Sequence, residues 1–168
     1  MPCIDNIGQR ILYEIPTAAS LLFVGAAGYI AVGDPAVREQ LEPKGQLKHW
    51  RKVFLWAVTR MSVLNIAGSI AAVAAYVQTK NNMWLYGTAA LLSTLPYTLL
   101  AMGKTNGQLT EILKSSGEAD LNEGDKKTVT SLLKKWVGLH SARVLFGVAA
   151  AALFFVAKEQ SKNLILKV

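Results

Sequence analysis

Four side chains in this sequence have the chemistry to take up a proton and to stabilise the anion left behind. His140 supplies an imidazole, Arg60 and Arg143 supply guanidinium groups, and Asn106 supplies an amide. An imidazole flanked by cations and an amide suits removal of a proton from an apolar substrate and retention of the resulting oxyanion. The sequence therefore indicates a candidate site for acid–base chemistry.

Other catalytic centres find little support in the sequence. His49 is the only other histidine, and no second histidine or carboxylate lies in the apolar segments to complete a zinc site. The single cysteine, Cys3, cannot form an internal disulfide or a cysteine-pair redox motif. Phosphate loops, nucleophile elbows and dinucleotide fingerprints are also lacking. We therefore expect no metal and no other cofactor.

Long apolar stretches must position the candidate residues. The chain has 168 residues, 52% of them hydrophobic and 17% charged, which leaves too little charge to coat a soluble surface. About 20 apolar residues suffice for a helix to cross a bilayer. Four stretches qualify, at about 15–32, 53–77, 83–102 and 137–157. They predict an all-α integral membrane protein, an antiparallel four-helix bundle that forms one domain over residues 1–168.

The basic residues indicate the partner and the orientation. Because they crowd beside the apolar stretches, the net charge of +7 fits anionic lipid headgroups and not nucleic acid. We expect a multi-pass protein of an endomembrane, such as the endoplasmic reticulum, or of a mitochondrial membrane. Membrane protein partners and a homo-oligomer both stay open. Eleven basic residues in loops one–two and three–four, against five on the other side, predict cytosolic loops and non-cytosolic termini.

The predicted topology brings the candidate residues to one membrane face. Span two begins there, span three ends there and span four begins there, so that Arg60, Asn106, His140 and Arg143 can converge. Trp136 lies one helical turn before His140 on the same stripe. We expect an apolar cavity beside His140, lined by spans two to four, with Asn106 within hydrogen-bond reach of His140 or Arg143 directly or through water.

Each of these residues also has a purely structural interpretation. Arg60 and Arg143 can snorkel to the headgroups. His140 can be a helix–helix hydrogen-bonding residue, and Asn106 can cap span three. The four tryptophans are expected in the interfacial aromatic belts: Trp50, Trp56, Trp84 and Trp136.

Local signals predict helix ends and helix contacts. Pro16 is expected to open span one, Asp34 to cap a short helix that breaks at 43–45, and Asp125 to cap the helix that runs into span four. Small residues are expected where helices approach closely: Gly25, Gly28, Gly68 and Gly147.

Three motifs in the second half resemble those of a known family. PYT at 96–98, KTNGQL at 104–109 and WVGLHSAR at 136–143 are similar to the P-x-T, T-N-x-x-L and W-x-x-L-H-x-x-R motifs of the anthrone oxygenase family of small four-span membrane proteins. The resemblance implies a cofactor-independent monooxygenase, with molecular oxygen as co-substrate. Its substrate would be a hydrophobic aromatic or polyketide-like molecule, such as an anthrone.

The resemblance also implies roles for individual residues. His140, Arg143 and Asn106 would be catalytic. We also expect substrate contacts from Arg60, which the predicted topology places on the same membrane face, and from Tyr97, Thr98, Thr105 and Trp136. Two other classes stay open. One is a non-catalytic membrane protein, either a subunit or assembly factor of a larger complex or a lipid-binding scaffold. The other is a small transporter or channel, which the lack of an inverted repeat disfavours.

Overall fold

The computed structural model describes residues 2–165, and the side chains of residues 7–161. This part of the chain is helical and contains no strand. Its elements are α1 (Pro2–Gly28), a π-helical turn (Tyr29–Gly33), α2 (Asp34–Arg38), α3 (Pro43–Thr79), α4 (Met83–Leu92), α5 (Thr94–Leu100), α6 (Gly103–Ser116) and α7 (Glu123–Ile165).

Three helical stretches are long and apolar enough to cross a membrane: Ile7–Arg38, Pro43–Thr79 and Glu123–Ser161. A fourth exists if Met83–Leu100 and Gly103–Ser116, which are bent by 49° relative to each other, count as one span. Large apolar side chains point outward along these helices, and Leu100 is 84% exposed. The prediction of an all-α membrane protein is therefore confirmed, with three or four candidate spans.

Proline explains the break in the third apolar stretch. Pro96 has no N–H to donate to the carbonyl of Leu92, and its ring crowds that carbonyl, so that α4 ends at Leu92. The amide of Tyr97 still donates to the Ser93 carbonyl at 3.2 Å, and the chain therefore resumes as α5. Pro16, by contrast, does not open a span as expected, because it lies inside α1.

Helix ends differ from the expected caps. The Asp34 side chain caps nothing; its buried carboxylate instead accepts hydrogen bonds from Arg38 and from Nε2 of His49, the latter at 2.7 Å. Asn122, and not Asp125, caps α7: its Oδ1 accepts the Asp125 amide at 2.8 Å, and the helix begins at Glu123. The expectation for Asp34 fails because its carboxylate is bound to Arg38 and His49, and the expectation for Asp125 fails because Asn122 occupies the cap position.

Two of the four expected glycine contacts occur. A Cβ on Gly68 would lie 2.9 Å from Cβ of Ala19, and one on Gly147 would lie 2.8 Å from the ring of Phe23. The predictions for Gly25 and Gly28 are wrong, since a Cβ at either position would meet nothing within 4 Å. Helix α1 therefore packs closely against α3 and α7 at the levels of Gly68 and Gly147.

The aromatic belt is largely a wrong prediction. Trp50, Trp84 and Trp136 are 0–1% exposed and belong to the core, whereas Trp56 is 46% exposed. The ring of Trp136 meets that of Trp50 edge-on, with centroids 6.4 Å apart. Trp50 and Trp136 thus pack α3 against α7, whereas Trp84 on α4 packs against Tyr13 and Phe154.

Candidate functional site

Helices α6 and α7 meet through a hydrogen bond between two of the candidate residues. The indole N–H of Trp136 donates to Oδ1 of Asn106 at 3.0 Å. Asn106 sits in the first turn of α6, just after the bend, and Trp136 lies in the middle of α7. Because an indole nitrogen can only donate, this bond turns the amide so that its NH₂ remains available as a donor.

His140 lies directly behind Trp136. Its side chain is fully buried, and its ring centroid is 5.0 Å from that of Trp136, with the planes at 31°. Neither ring nitrogen has a hydrogen-bond partner. Asn106 therefore forms no direct hydrogen bond to His140, and its Oδ1 accepts from the indole of Trp136 instead. A link from Asn106 to His140 or Arg143 through water stays a prediction.

Arg143 is a buried cation without a carboxylate. Its side chain is 8% exposed, and its Cζ lies 5.7 Å from the ring centroid of Phe23 on α1. Its Nε has no hydrogen-bond partner, and among the described residues no Asp or Glu pairs with it. A cation buried in this way costs free energy unless an anion accompanies it.

Tyr97 connects the bent helix to the same part of α7. Its hydroxyl donates to the carbonyl of Leu139 at 3.1 Å, and its ring packs edge-on against Phe146 at 5.5 Å. Thr105 is buried in α6, next to Asn106. The hydroxyl of Thr98 donates within its own helix, to the Thr94 carbonyl at 2.7 Å.

Arg60 does not join these residues. Its side chain is exposed, and its Cζ lies 5.3 Å from the ring centroid of Trp56, one turn earlier in α3. Both side chains line a groove between α1 and α3. The snorkelling interpretation fits these contacts, as it does not for Arg143.

Two neighbouring residues complete the surroundings of the site and were not singled out from the sequence. Phe54 stacks on Trp50 at 5.4 Å with the planes at 14°, and Phe23 lies under Arg143. Both are ordinary apolar residues in apolar helices, so no sequence signal separates them from other core positions. Only the packing of α1 and α3 against α7 shows their position.

A groove of about 630 Å³ opens between α3 and α6 and reaches Asn106. Its lining combines the aromatic ring of Phe54 with polar residues of α6: Asn106, Gly107, Thr110, Glu111, Lys114 and Ser115. His140 and Arg143 do not line this groove. The groove therefore differs from the apolar cavity expected beside His140, and it is connected to the imidazole only through Asn106 and the indole of Trp136.

Metal-binding side chains do not gather near these residues. Within the described part of the chain, no group of three or more His, Cys, Asp or Glu residues is close enough to hold a metal ion. His49, the second histidine, is hydrogen-bonded to Asp34 instead, between the start of α3 and α2.

The long apolar helices and the buried His140–Arg143 pair define a membrane protein with an internal polar site. Residues 50–153, more than half of the chain, match the anthrone oxygenase family. A protein named anthrone oxygenase from Claviceps purpurea (strain 20.1) is 31% identical over 121 residues, covering 68% of each chain. The chain therefore belongs to the anthrone oxygenase family. No solved structure matches it significantly.

Proposed function

We propose that this chain is a membrane-embedded oxygenase that oxidises a hydrophobic, fused-ring phenolic substrate of the anthrone type. Residues 1–168 would form one domain in which the bent α4–α6 segment serves as the third of four antiparallel spans. The family match supports oxygenase-type chemistry, since residues 50–153 include Asn106, His140 and Arg143. The name of the Claviceps relative supports the substrate class.

The observation that carries the proposal is an unpaired base beside an unpaired cation inside the protein. Both nitrogens of His140 and Nε of Arg143 are buried without partners. Each buried polar group left unpaired costs about 1–3 kcal/mol. Three such unpaired atoms within one turn of α7 lower the stability of the fold, so a purely structural role does not explain them. They suit a site that receives a phenol and holds its anion.

The proposed reaction begins with proton transfer to His140. The imidazole takes a proton from the activated ring methylene of the substrate, and Arg143 stabilises the resulting phenolate. Molecular oxygen adds to the electron-rich carbon and forms a hydroperoxide. Loss of water then leaves a ring carbonyl, so that one oxygen atom of O₂ enters the product and the other leaves as water.

Asn106 would be the second hydrogen-bond donor to the substrate, after Arg143, and it would donate from the side of the groove. Its Oδ1 is occupied by Trp136, which leaves the NH₂ group to donate to a substrate oxygen. The groove of about 630 Å³ suits a few fused rings, with Phe54 as a stacking surface. Because Trp136 separates this groove from His140, substrate entry requires the indole to shift.

A second candidate function is a non-catalytic membrane subunit. It is favoured by the complete burial of His140 and by its ring contact with Trp136. In that case the imidazole would simply fill space between helices, and no substrate would reach it.

One pair of variants separates the two functions. His140→Phe keeps an aromatic ring against Trp136 and removes two unpaired nitrogens, so its thermal midpoint should equal or exceed that of the wild type. His140→Gln keeps polarity without a base of suitable strength. We expect both purified variants to lose oxygen consumption and anthraquinone formation with an anthrone. A wild-type protein that leaves anthrones unchanged, or a His140→Phe variant that retains turnover, would refute the proposal.

A further inference from the structure

Two grooves run along the outer surface between α1 and α3, and one of them is the groove lined by Arg60 and Trp56. One has a volume of about 350 Å³ and the other about 430 Å³, and they share Ala26 and Trp56 in their linings. The first includes Lys52, and the second extends to Leu64. The shared residues show that the two grooves adjoin on the outer, mainly apolar surface of α1 and α3, and together they are called the channel below.

The channel has the length of one lipid chain. From Lys52 to Leu64 the axis of α3 rises by about 18 Å. The hydrocarbon part of one bilayer leaflet is roughly 15 Å thick. An acyl chain that enters beside Lys52 can therefore lie along the channel over most of its length.

Two cations mark one end of this channel. The guanidinium of Arg60 lies over the ring of Trp56, one turn nearer to Lys52 than its own Cα. Trp56 and Lys52 are themselves one turn apart, about 6 Å along the axis. The Arg60 guanidinium therefore lies about one helical turn from the backbone of Lys52, close enough for the flexible lysine side chain and the guanidinium to contact the same phosphate.

No acidic residue offsets these cations. The linings of both grooves contain no Asp or Glu, and among the described residues neither Lys52 nor Arg60 forms a salt bridge. The carboxylate of Asp34, in the segment just after Tyr29–Gly33, is already bound to Arg38 and His49. An exposed arginine on a membrane helix is costly without an anionic partner.

We propose that this channel binds an anionic phospholipid, with the acyl chain along Ala26 and Trp56 and the phosphate between Lys52 and Arg60. The proposal is independent of any catalytic activity. It predicts a preference for anionic over zwitterionic headgroups at one defined place on the protein surface.

Tryptophan fluorescence offers a local readout. Of the four tryptophans, Trp56 is 46% exposed, and the other three are 0–1% exposed. Lipids brominated on their acyl chains quench tryptophan by contact, so quenching reports on this channel. The full chain would be reconstituted in phosphatidylcholine vesicles with increasing fractions of brominated phosphatidylglycerol or, in parallel, brominated phosphatidylcholine.

We expect the anionic lipid to reach half-maximal quenching at a several-fold lower mole fraction, since one cation near a membrane surface favours an anionic lipid by about fivefold. Arg60→Gln should abolish most of the difference and Lys52→Gln should reduce it, whereas Arg60→Lys should retain it. Lys135→Gln, which removes a basic residue outside both grooves, is the matched control. Trp56→Phe should remove the quenching itself.

Equal quenching by the two lipids would overturn the proposal and leave an ordinary lipid-facing surface. Quenching that persists in Trp56→Phe would also overturn it, because the lipid would then contact another tryptophan. A preference that survives both Arg60→Gln and Lys52→Gln would place the anionic site elsewhere.

Discussion

The indole of Trp136 donates its N–H to Asn106 and lays its ring against His140. One side chain thus sets the orientation of the amide and forms one wall around the imidazole. The groove reaches Asn106 but is not lined by His140 or Arg143. The position of Trp136, which contacts both Asn106 and His140, therefore bears on whether a molecule in the groove can meet the imidazole.

Substitutions of Asn106 and of Trp136 should separate the effect of their hydrogen bond on stability from the role of the Asn106 amide in turnover. Asn106→Asp keeps an acceptor for the Trp136 N–H but loses the NH₂ donor. We expect its thermal midpoint to stay near that of the wild type while kcat falls by roughly 10²-fold, the usual effect of removing one oxyanion donor. Trp136→Phe should instead lower stability by about 1 kcal/mol. Thermal unfolding in detergent and turnover assays measure both; full activity in Asn106→Asp would exclude Asn106 from the site.

Removal of the buried charge should cost activity and not stability. Arg143→Met replaces a cation that has no carboxylate partner by an apolar side chain of similar length, so the thermal midpoint should be retained or raised. Turnover should be lost. Arg143→Lys keeps the charge but not the planar fork, and a large loss of kcat in this variant would indicate directed anion recognition. A strongly destabilised Arg143→Met would show that the cation serves the fold.

The close contact at Gly147 offers a test of packing. Gly147→Ala would place a Cβ 2.8 Å from the ring of Phe23, so we expect destabilisation by about 1–3 kcal/mol. Gly25→Ala is the matched control, because nothing lies within 4 Å of its Cβ; its thermal midpoint should be unchanged or higher. Equal midpoints for the two variants would contradict the close approach of α1 and α7.

The Asp34 cluster should behave as a buried ion pair. Asp34 and Arg38 have side chains only 2% and 3% exposed, so Asp34→Asn leaves a buried cation and should cost about 3–5 kcal/mol. The double variant Asp34→Asn with Arg38→Met should recover most of that loss. Chemical or thermal unfolding of the four members of this cycle gives the coupling energy. A double variant as unstable as Asp34→Asn alone would contradict the pairing.

Orientation can be tested with a single cysteine. In a Cys3→Ser background, Glu118→Cys in the exposed segment after α6 should react with an impermeant thiol reagent added from the cytosolic side. A reporter fused to Val168, which lies outside the described residues, should be inaccessible from that side. The opposite pattern would reverse the predicted topology.

The sequence predicted the helices well because their signal is local. Apolar runs of sufficient length act within one helix, and a small residue such as Gly147 acts within one contact. The partner of Asn106 was beyond such reasoning, since α6 follows a 49° bend that the sequence analysis did not predict. In the bent structure Asn106 accepts a hydrogen bond from the indole of Trp136.

The same limit explains the misassigned tryptophans and Asp34. A tryptophan is suited both to a headgroup belt and to a core that offers its N–H a hydrogen-bond acceptor. Which of the two places it occupies depends on the helices that surround it. Asp34 lies at a helix start, as a cap should, but α3 returns past it and supplies His49. These outcomes depend on tertiary proximity, which residue spacing along the chain does not contain.

The place of Phe23 makes the space around Arg143 depend on a separate part of the chain. The family match covers residues 50–153, whereas the ring under Arg143 comes from α1, before that region. A substitution in the first helix can therefore change this wall while His140, Trp136 and Asn106 stay as they are. Helix α1 is thus the place at which protein engineering can reshape the surroundings of Arg143 without altering α6 or α7.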